Sequence, residues 1–416
     1  MSCSEWKEYR LEEVIEEFID YRGRTPKKVN SGIPLITAKI VKSGRINTPN
    51  EFIREEDYES WMTRGIPKKG DVILTTEAPL GEVAQITSNE KIALAQRIIT
   101  LRSNSSLLDN TFLKYLLQSP IMQWRLSERA SGTTVVGIKS SELRKVNVNI
   151  PSLEKQKKIV NILSSLDDKI ELNNEMNKTL DEMAQSIFKR WFVDFEFPNE
   201  DGEPYKSSGG EMVESELGMI PKGWEYGLIN DTCEKIYSGG TPKTSEETYW
   251  NGELNWMSSG ETRNNFIIDT EKYITQQGAD KSSTKLANRL NTVIASAGQG
   301  FTRGQTSLLL IDTYINQSLI TLKPKYYYEF FNYFNIKRRY NELRNISDSH
   351  SIRGSLTTKM ICKLGTILPN IEVLKEFCVI IEPIIIQIEN NIRNSQNIAE
   401  LRNLLLPKLM NGEIKF

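Results

Sequence analysis

With 416 residues, 38% hydrophobic and 26% charged side chains and a net charge of −1, the chain is long enough for two or more cores and has the balance of an ordinary soluble protein. No apolar run approaches the roughly 20 residues of a membrane span, and the opening MSCSEWKEYR lacks the apolar core of a signal peptide, so the expected location is the cytoplasm and no membrane partner is expected. Four scattered cysteines (Cys3, Cys233, Cys362, Cys378) indicate neither a zinc site nor a disulfide framework, and a single histidine, His350, removes most histidine-based catalysis.

Over residues 1–150 short β-rich runs (IPLIT, DVILTT, RIITL) alternate with polar loops, and FLKYLLQSPIMQWRLSERA then has the pattern of a helical hairpin. Pro151 opens an amphipathic helix, IPSLEKQKKIVNILSSLDDKIELNN and onward, over 151–197. Residues 198–222, rich in Pro, Gly, Ser and Glu, predict an ordered but irregular linker. A second module covers 223–368. Its hairpin, YYEFFNYFNIKRRYNELRN, places the aromatics from Tyr326 to Phe334 at the spacing of a core-facing helix rather than a base-stacking surface. The C-terminal helix, 369–416, contains LPNIEVLKEFCVIIEPIIIQIENN; Pro383 lacks an amide proton and predicts a kink or break near Glu382.

The second module and helix repeat the first. Trp6 matches Trp224 and Pro151 matches Pro369, both 218 positions apart. Between them RGRTPKK answers GGTPKTS, GDVILTTEA answers LNTVIASAG, and LAQRIITL answers INQSLITL, in the same order. The charge alternates along with the repeat. Residues 1–150 carry 22 basic against 19 acidic side chains and 221–368 carry 18 against 14, whereas 151–220 carry 8 against 15 and 369–416 carry 5 against 6. Mildly basic globular stretches separated by acidic helices fit a nucleic-acid binder with protein-facing helices, although excesses this small are common elsewhere. Mixed strands and segregated helices make each module α+β.

Within the helices a three-four spacing selects Ile159, Leu163, Leu166, Ile170, Asn173, Asn177, Leu180, Ala184, Ile187 and Trp191 in the first copy. In the second it selects Phe377, Ile381, Ile384, Ile388, Asn391, Ser395, Ile398, Arg402, Leu405 and Leu409. Both seams are apolar at the ends and polar in the middle, the signature of a coiled coil whose antiparallel pairing would bring the polar midpoints together and fix the register. Ile159 to Trp191 spans roughly 50 Å at 1.5 Å per residue, enough to set two heads about a turn or more of B-DNA apart. A dimerisation helix in a protein that binds no DNA is the plainer alternative.

These residues resemble the specificity subunit of a type I restriction-modification system. The most specific parts are the first helix followed by SIFKRWFVDFEFP, then GEPYKSSGGEMVESELGMIPKGW, and the terminal LRNLLLPKLMNGEI. The resemblance implies two target-recognition domains, each reading one half of a split, asymmetric site in double-stranded DNA, and two spacer helices paired antiparallel. It also implies two modification (methyltransferase) subunits that hold S-adenosylmethionine and restriction subunits that use ATP and Mg, with no cofactor in this chain. The motifs agree: no G-x-x-x-x-G-K-[ST] is present, GQGFTRG has Arg303 where a third glycine would stand, and no N-P-P-[YF] methylation motif or nuclease carboxylate set occurs. A reader without its own catalysis is expected; the competing reading is a scaffold or decoy that binds methyltransferase subunits without reading DNA.

Base recognition needs forked donors and amides at loop tips. The candidates in the first module are Arg24, Thr25, Lys27, Lys28, Lys39, Arg45, Thr76, Gln96, Thr133, Thr134 and Lys139. In the second they are Thr241, Lys243, Thr244, Arg263, Asn264, Gln299, Arg303, Gln305, Ser349, His350 and Arg353. The matched Thr25-Pro26-Lys27 and Thr241-Pro242-Lys243 read equally as structural turns, since a turn common to both modules cannot distinguish two half-sites. Gln96 and Gln317 read equally as scaffold hydrogen bonders.

Overall fold

The computed structural model describes residues 6–298, 300–350 and 354–414, with backbone alone at 349 and 350. The chain divides into two units, Met1–Ile170 with Gln396–Phe416, and Glu171–Ser395. Each long helix passes from one unit into the other.

In the first unit, strands Ile15–Asp20, Ile98–Ser103, Val72–Thr76 and Leu80–Gln85 form an antiparallel sheet in that order. The run VILTT is buried throughout because both faces of the sheet are covered: Val72 and Leu74 join one core with Phe112, Leu116 and Met122, while Ile73 joins another with Leu35 and Trp61. Successive side chains point to opposite faces, so a doubly covered strand reads as continuous rather than alternating hydrophobicity. The helical hairpin over the first face is Asn110–Gln118 and Pro120–Glu128. The Asp109 carboxylate caps the first helix, accepting from the Thr111 and Phe112 amides at 2.8 and 2.9 Å. Ser119, held extended before Pro120, ends it and caps the second.

The second unit repeats the plan. Strands Cys233–Ser238, Leu319–Pro324, Thr292–Ala295, Thr306–Leu309 and Phe266–Ile267 form its main sheet, and Glu329–Arg338 with Tyr340–His350 form its hairpin. The repeat holds at the level of hydrogen-bond register. Lys7 pairs with Ile150 and Glu225 with Leu368, both partners displaced by 218. The parallel pairs Leu35 with Ala93 and Trp256 with Tyr314 are displaced together by 221. Phe330, Phe331, Tyr333 and Phe334 are buried core residues, whereas Tyr326 is exposed.

Both long helices have 40 residues, Leu153–Phe192 and Ile371–Met410. In the first unit their ends run antiparallel: Ile159 and Leu163 share a core with Leu406, Leu409 and Met410, and Arg402 reaches Asp167 at 2.7 Å. In the second unit the remaining portions are also antiparallel. Asn177 lies opposite Asn391, and Phe188 and Trp191 pack on Phe377 with ring centroids 6.0 and 5.8 Å apart.

Two sequence expectations need correction. Of the kink or break expected near Glu382, the break does not occur, since the C-terminal helix continues through it; Pro383 sits on its exposed face, and the carbonyl of Val379, deprived of its amide partner, is on a residue 72% exposed where water can satisfy it. The inter-module segment is less irregular than its composition predicts: Met212–Ser215 and Gly218–Pro221 form an antiparallel hairpin, and Phe197 stacks on Tyr205 and Trp224 at 4.6 and 4.9 Å. Apolar anchors at 197, 220 and 224 hold a segment that is otherwise polar.

Candidate nucleic-acid interface

In the first module four candidates converge. Thr25, Lys28, Lys39 and Gln96 line one cavity of about 200 Å³, together with Arg97 and Glu51. The segments meet there because strand Ile33–Ile36 runs parallel to Ala93–Leu94, so the residues following each strand emerge on the same side. Lys28 pairs with Glu51 at 2.7 Å and Arg97 with Glu77 at 3.1 Å. Arg24 and Lys27 are exposed on the same loop, and Arg45 is half-buried in the short strand Arg45–Ile46.

Thr133 and Thr134 are exposed in a loop closed by reciprocal backbone hydrogen bonds between Ser131 and Gly137, at 2.8 and 3.0 Å. The Ile138 amide, donating to the Thr76 carbonyl at 3.0 Å, fastens that loop to the main sheet, and exposed Lys139 follows. Thr76 itself is 1% exposed, so its place among the base-reading candidates is corrected: it is a buried strand residue.

In the second module Thr241 is half-buried while Lys243 and Thr244 are exposed, and the Thr241 hydroxyl donates to Gln317 Oε1 at 2.5 Å. Arg263 and Asn264 are exposed, with Arg263 ion-paired to Glu271. Gln305 is half-buried and accepts from Thr262 at 3.4 Å. Arg303 is also corrected. It is 8% exposed, donates to the Gly354 carbonyl at 2.9 Å and pairs with Asp348, so its guanidinium braces the loop instead of projecting from it. Gln299, Arg353 and the side chains of Ser349 and His350 lie outside the described residues.

Of the seam candidates, Ile159, Leu163, Asn173, Phe377, Ile381, Ile388 and Asn391 are buried. Leu166, Ile170, Asn177, Leu180, Ile187, Ile384, Ser395, Ile398 and Leu405 are half-buried. The neighbours Phe188, Ile385 and Leu406 are buried where Ile187, Ile384 and Leu405 are not, because a straight helix of 3.6 residues per turn drifts out of a strict 3.5-residue repeat.

Sequence reasoning passed over the carboxylates that hold helices to modules. Asp167 accepts from Lys114 Nζ at 2.9 Å, Tyr115 Oη at 2.7 Å and Arg402 Nη1 at 2.7 Å. Burial pushes its carboxyl pKa up, but the charge of Lys114 and the hydrogen bonds from Tyr115 and Arg402 outweigh it and leave it below the ordinary value. Asp181 plays the same part in the other unit, accepting from Lys337 at 2.8 Å and Asn265 at 3.0 Å. Arg97 was also missed, although it directly follows Gln96. Exposed Phe301 stands in the GQGFTRG stretch between the candidates Gln299 and Arg303. Among the described residues no group of three or more His, Cys, Asp or Glu side chains is placed to hold a metal ion, and no helix is long and apolar enough to cross a membrane.

The sequence model described as "Type I restriction modification DNA specificity domain" matches residues 3–182 and again 221–398, so it finds the same duplication, each match holding one module and most of the helix after it. The chain belongs to this family. Among specificity subunits, the type I restriction enzyme MjaIX specificity subunit of Methanocaldococcus jannaschii is 26% identical over 397 residues, covering 92% of this chain and 87% of the relative. The HindI specificity subunit of Haemophilus influenzae is 24% identical over 471 residues, covering 99% and 100%. Both relatives are named for the specificity role. The crystal structure of a type I restriction-modification S subunit from M. genitalium has the same fold, with a TM-score of 0.56, 15% identity and coverage of 97% and 96%.

Proposed function

We propose that this specificity subunit reads a bipartite, asymmetric double-stranded DNA target, with residues 1–150 as one target-recognition domain and 223–368 as the other. In this reading the helical segments 151–197 and 369–416 set the gap between half-sites and dock two modification subunits. Restriction subunits join through the complex. S-adenosylmethionine, ATP and Mg belong to those partners. The observation that supports the reading is the contrast between scaffold and loops. The two modules keep the same strand registers while most loop residues differ, as two readers of different half-sites would require.

The test begins with methylation-sensitive sequencing of DNA from cells that carry the intact system, which returns both half-sites and their separation. Exchanging residues 23–139 for those of a relative should change one half-site alone. Inserting two turns into the first long helix, about 11 Å at 1.5 Å per residue, should lengthen the gap and leave both half-sites intact. A reconstituted complex without salt-dependent, sequence-selective binding would leave the scaffold reading instead.

A further inference from the structure

We infer that the two Thr-Pro-Lys turns, each with the glutamine beside it, form a duplicated clamp for the sugar-phosphate backbone of DNA and do not read bases. This rests on the DNA-reading function proposed above and assigns a role within it.

The equivalence of the two sites is structural. Leu35 and Ile36 pair with Ala93 and Leu94, and Trp256 and Met257 pair with Tyr314 and Ile315, all displaced by 221. The ladder then continues by the same step in both modules: the Ala95 amide donates to the Ile36 carbonyl at 2.9 Å and the Asn316 amide to the Met257 carbonyl at 3.1 Å. Gln96 and Gln317 come next in each case. Beside them the turns repeat one pattern, with Pro26 and Pro242 buried and Lys27 and Lys243 exposed.

The turn of the second module is held firmly. The Gly240 amide donates to the Ile315 carbonyl at 3.1 Å, Trp256 Nε1 to the Gly240 carbonyl at 3.3 Å, and Trp250 Nε1 to the Lys243 carbonyl at 3.2 Å. Gly239 passes so near the sheet that a Cβ there would stand 2.0 Å from the Ile315 carbonyl oxygen, which a larger residue could not tolerate. The Thr241 hydroxyl engages Gln317 Oε1, so the amide of this exposed glutamine is oriented by its oxygen and its N–H donors remain for an acceptor. In the first module Thr25, Pro26 and Gln96 line the same cavity.

Two further points select the ligand. Neither Lys27 nor Lys243 has an ion-pair partner among the described residues, whereas the adjacent Lys28 is paired with Glu51 at 2.7 Å. Moreover, a device present in both modules can contact only what both half-sites share. The base edges differ between half-sites, while the phosphates recur along every duplex. A lysine ammonium is a point charge suited to phosphate, and side-chain amides add neutral donors. The residues that flank the shared turn differ between the modules, Arg24 and Lys28 in one and Gly240 and Thr244 in the other.

The experiment uses the full chain reconstituted with its modification subunits and two probes, a duplex carrying the target returned by methylation sequencing and a scrambled duplex of equal length. Wild type is compared with Lys27→Ala, Lys243→Ala, the double variant and the charge-retaining Lys27→Arg and Lys243→Arg. Each alanine should weaken binding to both probes by the same factor, leave their affinity ratio unchanged, and lower the slope of log K against log[salt] by about 0.9, or about 1.8 in the double variant. The arginine variants should keep the wild-type slope. An unchanged slope in the alanine variants, or relaxed discrimination at a particular base pair, overturns the clamp while leaving the specificity function standing. Equal wild-type affinity for the two probes overturns the proposed function and the clamp with it.

Discussion

Asn391 donates its side-chain amide to Asn177 Oδ1 at 2.9 Å, and Asn173 donates to Ser395 Oγ at 3.1 Å. Residues 391 and 395 stand 218 positions after 173 and 177, so each bond is the counterpart of the other with the helices exchanged. Asn173 and Asn391 are 2% and 6% exposed, and a slip of one turn would leave these amides facing hydrocarbon. Asn173→Leu should therefore destabilise the chain by about 1–3 kcal/mol, because its partners lose their hydrogen bonds in a buried setting. Replacing all four residues by leucine should raise the melting temperature above that of the single variant, since no polar group is then stranded. Denaturant unfolding of the two variants measures both effects; a single variant as stable as wild type would count against the polar waist as a register device.

Asp167 makes the acid side of the stability profile predictable. Its folded pKa lies below the ordinary carboxylate value, because Lys114, Tyr115 and Arg402 together outweigh its burial. A carboxyl depressed on folding binds fewer protons in the folded state, so its contribution is fully present above the unfolded value of about 4 and is lost as pH falls through the folded value. The stability difference between wild type and Asp167→Asn should be constant from about pH 6 to 8 and shrink below about pH 4. Unfolding curves across that range test the sign. Asp167→Ala at neutral pH, which strands the largely buried Lys114, should cost about 3–5 kcal/mol.

How much of this was legible in the sequence depends on how far each cause lies along the chain. The repeat, the paired helices and their polar middles follow from spacing alone, and they recur as two 40-residue helices in matching positions. The phase of the seam was legible only approximately, because Ile385 and Phe188 win over Ile384 and Ile187 through a drift that accumulates along the helix. Thr76 and Arg303 were misjudged for another reason. Residue type marks a donor, but burial is decided by partners elsewhere: Arg303 is captured by Asp348, 45 positions on. The braces at Asp167 and Asp181 were invisible for the same cause, since Arg402 and Lys337 lie 235 and 156 positions away.

Pro383 gives a prediction that separates local from tertiary control of the helix. The helix continues through it with Ile381 and Ile385 buried on either side, so packing holds a residue whose intrinsic cost in a helix interior is about 3 kcal/mol relative to alanine. Pro383→Ala should stabilise the chain by about 1–3 kcal/mol by restoring the amide donor to the Val379 carbonyl. Thermal unfolding reads the change. A destabilised variant would mean that the second helix depends on the bend a proline imposes.

The Asp181 and Lys337 pair tests whether a buried brace stabilises or specifies. Asp181 is 8% exposed, Lys337 donates to both of its oxygens at 3.0 and 2.8 Å, and Asn265 adds a third bond at 3.0 Å. Burial lowers the Lys337 pKa, opposed by the attraction of Asp181, so the carboxylate offsets part of the cost of burying the ammonium. Lys337→Met should cost about 3–5 kcal/mol by leaving a buried carboxylate short of its main partner, whereas Asp181→Leu with Lys337→Met should recover most of that loss. Carboxylate and ammonium are then removed together, exposed Asn265 can turn its amide to water, and the remaining loss is the hydrogen bond that Lys337 gives Tyr333 Oη at 3.0 Å. A double-mutant cycle by chemical denaturation measures the coupling. If the double variant is as unstable as the sum of the single ones, the two side chains act independently and the brace is not a unit.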